Sequence, residues 1–324
     1  MLGKFPSFSI IFETENLATV DLANIYRSLD SLAAQTIPAS QANEFLIIES
    51  GDTPPRVLDE LRSKYPWIQV RQAEPGIGYY EAKMLGTRVS TGEIIVFCDS
   101  DCYYDPQWLK NILQFYADRP DALIVAGETS TPIRNAYDFA YAFDFIFPRF
   151  SKKPGPYPGN GYFANNISFR RNFLLKNPIP TEPPLFRGNC QVHAYVLQNL
   201  KGHTIWKLPT AKALHEPPGI PFIFWRFLML GQGAVLRKKF FSTLPAKTRP
   251  SSQAFFSTIA YKLKFGKITS ILKEDPRRLW MGFLSLPLIF LFRALFHIGQ
   301  VITWFKPNFL LERYNAYEQS KKAL

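Results

Sequence analysis

The first 130 residues alternate short apolar runs with amphipathic ones, and this order restricts the fold more than any other feature of the chain. "FSIIFE" (8–13), "EFLIIES" (44–50), "WIQVRQ" (67–72), "EIIVFC" (93–98) and "ALIVAG" (122–127) read as strands, being short and rich in aliphatic and aromatic residues. Between them "DLANIYRSLDSLAAQ" (21–35) sets Leu22, Ile25, Leu29 and Leu32 at helical spacing. "RVLDELRSKY" (56–65) and the stretch 79–90 are also helical, and "DPQWLKNILQFYAD" (105–118) opens with a capping Asp and a Pro. Strands separated by helices pair in parallel and are covered on both faces. The expected fold is therefore α/β, a mostly parallel Rossmann-like sheet flanked by helices, with ligands bound beyond the carboxyl ends of its strands.

From 130 to 160 the pattern dissolves into aromatic and Pro/Gly-rich sequence, "YDFAYAFDFIFPRF" and "KKPGPYPGNG", of the kind that shapes a cleft or makes a surface excursion. Periodicity returns in "YFANNISFRR" (162–171), a helical "CQVHAYVLQNLKG" (190–202) and a strand "HTIWKLP" (203–209), after which comes His215. The N-terminal "MLGKFPSFSIIFETEN" reads as the lead into a first strand and not as a signal peptide. Three cysteines, an odd number, argue against a disulfide framework and suit a reducing compartment. Cys98 and Cys102 read as packing residues.

At the end of the fourth strand "GEIIVFCDSDCYYDP" places Asp99 and Asp101 one residue apart. Two carboxylates so close repel each other unless a cation or hydrogen-bond donors lie between them. Hard divalent cations prefer carboxylate oxygens, and Mg²⁺ is commonly shared between one or two carboxylates and substrate phosphates. A turn capped by Asp99 is the plain alternative. An aspartate-nucleophile phosphatase also uses two Asp at a strand end, but there the pair comes early in the chain. Glu49, Ser50, Gly51 and Asp52 follow the second strand, and Lys83 lies in the helix "YYEAKMLGTRVSTGE". "EPGIG" lacks the full dinucleotide fingerprint, and no Walker loop, zinc spacing or Ser-His-Asp arrangement is visible.

In this order the residues resemble the family 2 glycosyltransferases, nucleotide-sugar-dependent enzymes of the GT-A fold. The segments that carry the resemblance are "FSIIFETEN", "EFLIIESGD", "GIGYYEAKMLGTRVSTGEIIVFCDSDCYYDPQWL", "YFANNISFRR" and "RGNCQVHAYVLQNLKGHTIWKLPTAKALHEPP", roughly residues 7–220. The resemblance implies transfer of a sugar from a nucleoside diphosphate sugar to an acceptor hydroxyl, with inversion, and a Mg²⁺ or Mn²⁺ cofactor. It assigns Glu49, with Ser50 beside it, to the base or ribose, and Lys83 to the diphosphate side. Asp99 would contact ribose and metal, Asp101 would be the main metal ligand, His215 would reach the metal or diphosphate, and Asn166 would line the acceptor side. One departure stands out. Where the family has the Asp that deprotonates the acceptor, this chain has Asn189 and Cys190. His193, on the same helix face, is a further candidate base, with Glu182 and Glu216 looser ones; an already ionised acceptor such as a phosphate would need none. The rivals are a non-catalytic sugar-nucleotide-binding or scaffold protein and a nucleotidyltransferase, for which the Gly-rich, basic N-terminal loop is missing.

Residues 221–324 hold 17 Lys/Arg against 4 Asp/Glu, whereas residues 1–220 hold 21 against 22. The implied organisation is a catalytic domain over 1–220, with a donor half (1–130) and an acceptor half (131–220), and a basic, apolar helical region over 221–324. "LWMGFLSLPLIFLFRALFHIGQVITWF" (279–305) has one formal charge, Arg293, and is long enough to span a bilayer, although Arg293 and Pro287 count against a simple span. "IPFIFWRFLML" (220–230) likewise mixes aromatics with Arg226. Apolar faces rich in Phe and Trp beside Lys/Arg fit an anionic membrane surface, with a hydrophobic helical subdomain as the alternative. The expectation is attachment to the cytoplasmic side of a membrane, a saccharide or lipid-linked acceptor, and no nucleic acid, since the aromatics do not alternate with basic residues on a polar strand.

Overall fold

The computed structural model describes residues 5–13, 22–49, 51, 53–144, 150–245, 276 and 278–322. Its contacts divide the chain into two compact units: Met1–Ser130 with Arg149–Thr181 and Asn189–Glu216, and Thr131–Pro148 with Glu182–Gly188 and Pro217–Leu324. The division is less simple than a cut at residue 220, because two excursions from the sheet-forming part group with the C-terminal helices.

In the first unit the strands are β1 (Phe8–Glu13), β2 (Phe45–Glu49), β3 (Ile68–Gln72), β4 (Ile94–Asp99), β5 (Cys102–Tyr104), β6 (Ile124–Ser130), β7 (Tyr157–Pro158), β8 (Ile167–Arg170) and β9 (Trp206–His215). They form one sheet in the order β3-β2-β1-β4-β8-β6-β9-β5, with β7 beside β9. Strands β1 to β4 pair in parallel, whereas β8 runs antiparallel to both β4 and β6. The helices are α1 (Leu22–Ala33), α2 (Pro55–Lys64), α3 (Tyr79–Val89), α4 (Trp108–Asp118), α6 (Arg171–Lys176) and α7 (Asn189–Tyr195), the last continuing as a π-turn over Val196–Leu200.

Strand alternation sorts the core into two layers. Ile10, Phe12, Ile47, Ile94 and Val96 pack with Ile25 and Leu29 of α1 and with Trp108 and Ile112 of α4. Ile11, Leu46, Ile48, Ile95 and Phe97 face the other way, onto Met84, Leu174 and Ala194. Each fully buried aliphatic or aromatic side chain of this kind contributes about 1.5–3 kcal/mol. Helix α3 lies very close to the sheet, since a Cβ on Gly86 would stand 2.8 Å from Cγ2 of Ile11. That approach lowers the first turns of α3 onto the carboxyl end of β4.

Strand β9 extends well beyond the expected end at 209. Its first part pairs with β6 at Val125–Gly127 and its second with Glu128–Ser130, across a register shift at Gly127/Glu128. The second part also pairs antiparallel with β5, which sets Cys102 opposite His215.

In the second unit the stretch expected to be loop contains α5 (Ala136–Asp144). The other helices are α8 (Ile220–Thr243), α9 (Arg278–Phe305) and α10 (Phe309–Lys322). Phe227 stacks on Phe292 with centroids 4.3 Å apart, and Lys239 lies over the Trp304 ring, so α8 and α9 run parallel. They touch backbone to backbone: a Cβ on Gly231 would meet the Phe296 carbonyl oxygen at 2.1 Å, and one on Gly299 that of Leu228 at 2.1 Å.

Candidate active site

The fourth strand delivers Asp99 to the edge of the sheet, and α3 supplies what neutralises it. Lys83 Nζ donates to Asp99 Oδ1 at 2.7 Å and to the Cys98 carbonyl at 3.0 Å. Tyr79 Oη donates to the same carboxylate, at 2.7 Å from Oδ2. The backbone is fixed as well: the Asp99 N–H donates to Tyr104 Oη at 3.0 Å, and Ser28 Oγ donates to the Asp99 carbonyl at 3.2 Å. Lys83 is wholly buried and Asp99 almost so. Part of the positive charge the doublet needs is therefore a lysine of the protein itself. The structure places Lys83 beneath Asp99 and not on an open face toward a diphosphate.

Asp101 sits in the turn between β4 and β5, with a fifth of its side chain exposed, and its Oδ2 lies 3.2 Å from His215 Nε2. The β5–β9 pairing makes this meeting, and the Glu216 N–H donates to the Asp101 carbonyl at 2.9 Å. Ligand atoms of Asp101, Cys102 and His215 all lie within 4.8 Å of one another. Burial, with the carboxylates of Asp101 and Asp99 adding to it, pushes the Cys102 thiol well up, so it stays protonated. A carboxylate and an imidazole at one corner remain, a donor set that suits a hard or borderline divalent cation such as Mn²⁺.

Sequence reasoning missed a second layer around this corner. Arg27 of α1 donates to Glu216 Oε1 at 2.7 Å and lies 3.8 Å over the Tyr103 ring. Tyr79 and Tyr104 lie inside the segment that carries the resemblance and Ser28 outside it; the contacts of all three with Asp99 come from the packing of α3, β5 and α1 around the end of β4.

The other expected residues are placed as follows. Glu49 is buried and turned onto its own loop, accepting from the N–H groups of Gly51 and Thr53 at 2.8–2.9 Å and from Gln72 Nε2 at 3.1 Å. Ser50 lies outside the described residues. Asn166 is a brace. Its Oδ1 accepts from Trp108 Nε1 at 2.8 Å and its Nδ2 donates to the carbonyls of Glu128 and Ala211, both at 3.1 Å, across the β6–β9 register shift. Asn189 and Cys190 begin α7, both buried, and Cys190 packs in the second core layer.

His193 is held at both ring nitrogens. A carbonyl can only accept, so Nε2–H donates to Asn177 O at 2.9 Å, and Nδ1 accepts from Tyr162 Oη at 2.7 Å. Burial pushes its pKa down to about 4. Its Nδ1 lone pair is already engaged by the Tyr162 hydroxyl, so its geometry is that of a core histidine. Glu182 is exposed and belongs to the second unit, whereas Glu216 is buried against Arg27.

One cation on the α7 side of the sheet had no sequence signal. Lys207 pairs across from Ala126 and from Tyr157, and its stem crosses Gly159, whose added Cβ would stand 2.2 Å from Lys207 Cγ. Burial pushes its amine down to about 8, while Glu128 and Cys190 act in the opposite direction. Glu128 itself accepts from the Ser151 N–H at 2.7 Å, from Ser151 Oγ, and from Tyr157 Oη at 3.3 Å.

The fold is shared with solved glycosyltransferases. A mannosyltransferase from Pyrobaculum calidifontis, solved with GDP-Man and Mn²⁺, aligns with a TM-score of 0.58 at 17% identity over 94% of this chain and 88% of that one. GalNAc-T7, solved with UDP, GalNAc and Mn²⁺, aligns at 0.53 and 12% identity over 82% of this chain and 58% of that one. In sequence the chain is 25% identical over 197 residues to polypeptide N-acetylgalactosaminyltransferase 3 of Taeniopygia guttata, covering 56% of this chain and 29% of that protein. It is 29% identical over 112 residues to glycosyltransferase AglE of Haloferax volcanii, covering 34% and 35%. The aligned segments thus make up about a third of the length of these curated relatives. The model of Glycosyl transferase family 2 matches residues 18–191, more than half of the chain, taking in α3, the acidic doublet and the start of α7. With that match lying over α3, β4 and β5, which carry Lys83, Asp99 and the turn of Asp101, the chain belongs to Glycosyl transferase family 2.

Proposed function

We propose that the protein transfers a sugar from a nucleoside diphosphate sugar to an acceptor hydroxyl, with inversion, at the carboxyl end of β4. The observation that carries this reading is the division of labour in the acidic doublet. Asp99 is neutralised and locked by Lys83 and Tyr79, whereas Asp101 faces outward beside His215. Asp101 and His215 would hold Mn²⁺ or Mg²⁺, as a donor set of carboxylate and imidazole allows. When bound, the ion supplies Lewis-acid stabilisation of the leaving diphosphate. Asp99, held by Lys83 and Tyr79, would contact the ribose, and the β2–α2 loop shaped by Glu49 would receive the base. The acceptor oxygen forms a bond to the anomeric carbon as the bond to the diphosphate breaks; a hydroxyl would have to give its proton to a base, whereas an ionised phosphate oxygen carries none to lose.

With His193 locked, an acceptor that enters already ionised is the simplest match to Asn189 and Cys190. Lys207, on the same side of the sheet as Cys190, supports a phosphate-bearing, lipid-linked acceptor over a neutral saccharide. A membrane surface on the cytoplasmic side is the proposed setting, on the strength of α9, a 28-residue helix long and apolar enough to cross a bilayer.

The test is a thermal-shift screen of UDP-, GDP- and dTDP-sugars with and without Mn²⁺, since a ligand of the folded state raises its stability. A metal-dependent rise is expected for one nucleotide, lost in Asp101→Asn. No shift with any donor would remove the assignment. The absence of the family's Asp at 189–190 favours one second reading, a sugar-nucleotide-binding protein without turnover. A metal-dependent shift without transfer or hydrolysis, over neutral and phosphorylated acceptors, would select it.

A further inference from the structure

Helix α9 carries its apolar surface on one side only. At 100° per residue its exposed positions (Leu279, Trp280, Phe283, Phe290, Val301 and Trp304 among them) fall in an arc of about 160°. Ser285, Ile289, Phe292, Gly299 and Thr303, all buried, occupy the opposite side. That buried side packs on α5 and α8. Gly282 approaches Phe139 of α5, Phe292 stacks on Phe227 of α8, and Arg293 pairs with Asp144 of α5 at 3.4 Å. The arc runs the whole helix, about 42 Å at 1.5 Å per residue. It bears no Asp, Glu, Lys or Arg, and ten or more of its side chains are large hydrophobics at least 37% exposed. A soluble monomer rarely exposes a patch of that size.

We propose that α9 lies in the plane of an anionic leaflet with this arc sunk into it, and does not span the bilayer. The proposal deepens the membrane setting given above and rests on it. Charge complementarity selects lipid as the occupant. Residues 221–324 carry a net +13 (17 cations less 4 anions). The cations beside the arc are Arg293, partly exposed at its edge and paired with Asp144, and Arg278 and Lys306 at the two ends of the helix, while Lys239 lies 5.8 Å over Trp304. Tryptophans at both ends are also suited to a membrane–water interface.

The neighbours of α9 decide against a span. To cross, α9 would take its partners with it. Helix α8 runs parallel to it with Arg226, Arg237, Lys238 and Lys239, while α5 carries Asp138 and Asp144. Charged side chains are costly at the bilayer centre and rare there, so a span that carried these helices in with α9 is disfavoured. Lying flat, α9 buries the arc and leaves the charged helices on the aqueous side.

The experiment uses the full chain and extruded vesicles, either phosphatidylcholine alone or phosphatidylcholine with an equal part of phosphatidylglycerol, without any sugar nucleotide. Flotation with the mixed vesicles, at least ten-fold weaker with phosphatidylcholine alone, is expected. The exposed pair Phe290→Gln and Trp304→Gln should lower partitioning at least ten-fold with an unchanged melting temperature. All three native cysteines are buried, so Pro276→Cys and Asn308→Cys place single reactive thiols beyond either end of α9. Both should react from outside intact vesicles with an impermeant maleimide. Protection of one until the vesicles are opened would establish a span and overturn the in-plane geometry. No flotation, or a dimer in lipid-free sedimentation that the double substitution dissociates, would overturn lipid as the occupant. A donor-dependent thermal shift without vesicle binding would sink this inference and leave the transfer reading standing; the converse would do the reverse.

Discussion

The two aspartates of the doublet are unlike in their surroundings and should differ in what their loss does. Lys83→Met leaves the Asp99 carboxylate buried without its counter-ion, which costs on the order of 3–5 kcal/mol and should appear as an early urea midpoint. Asp101→Asn, at a partly exposed carboxylate, should cost under about 1 kcal/mol while removing the metal-dependent thermal shift. His193 gives a pH signature. Its folded-state pKa lies near 4 against about 6.5 in an unfolded chain, so the unfolded chain takes up the proton first on acidification. Above pH 6.5 the residue contributes nothing to pH dependence; stability then falls from 6.5 toward 4, by roughly 3 kcal/mol in full. Urea midpoints at pH 7.5 and 5 should converge in His193→Gln relative to the parent protein. The acidic doublet, with its need for a cation, was legible in the sequence because like charges one residue apart are costly unless compensated. Lys83 was legible as a basic group near the site, but its role was not: a fully buried amine looks the same in sequence as an exposed one.

At the scale of elements, the register shift between β6 and β9 depends on Asn166. Asn166→Ala leaves the Trp108 indole N–H and two carbonyls without their partner, a cost of about 1–3 kcal/mol for an unsatisfied buried group, readable as a lower melting temperature. In the second unit the α8–α9 contact depends on glycine. Gly231→Val drives a side chain into the Phe296 carbonyl and should cost about 1–3 kcal/mol by overpacking. Gly233→Ala on the same helix brings its Cβ to 3.0 Å from the Arg237 guanidinium and 3.8 Å from the Arg187 carbonyl, and should cost less than Gly231→Val. Loss of near-UV ellipticity on heating separates the two. Helices α1 to α4 could be read from periodicity because each buries one regular face, and β1, β2 and β4 from short continuous apolar runs because both of their faces are buried. β5 is three residues long and β7 two, and strands so short exist only through their pairing with β9. α5 was hidden by aromatics on all sides, since a helix buried nearly all round shows little periodicity.

For the whole molecule, the compact units do not follow the order of the chain. A chain ended at residue 216 would keep α5 but lose α8 and α9, exposing the buried Phe139, Tyr141 and Phe143. It should aggregate even without vesicles, which gel filtration would show; a monodisperse product would mean that α5 finds cover elsewhere. The sequence by itself determined the parallel run of β1 to β4, the acidic edge of β4, the family and the basic, apolar character of the last hundred residues. These follow from local order: apolar period, charge and spacing along the chain. The resemblance already implied that Asp101 and His215 share a metal; only tertiary structure decided that Lys83 serves Asp99, that His193 and Asn166 are held in buried hydrogen bonds, and that α9 keeps one bare face. Each of these depends on residues distant in sequence being brought within hydrogen-bonding or packing distance, and no pattern along the chain encodes that distance.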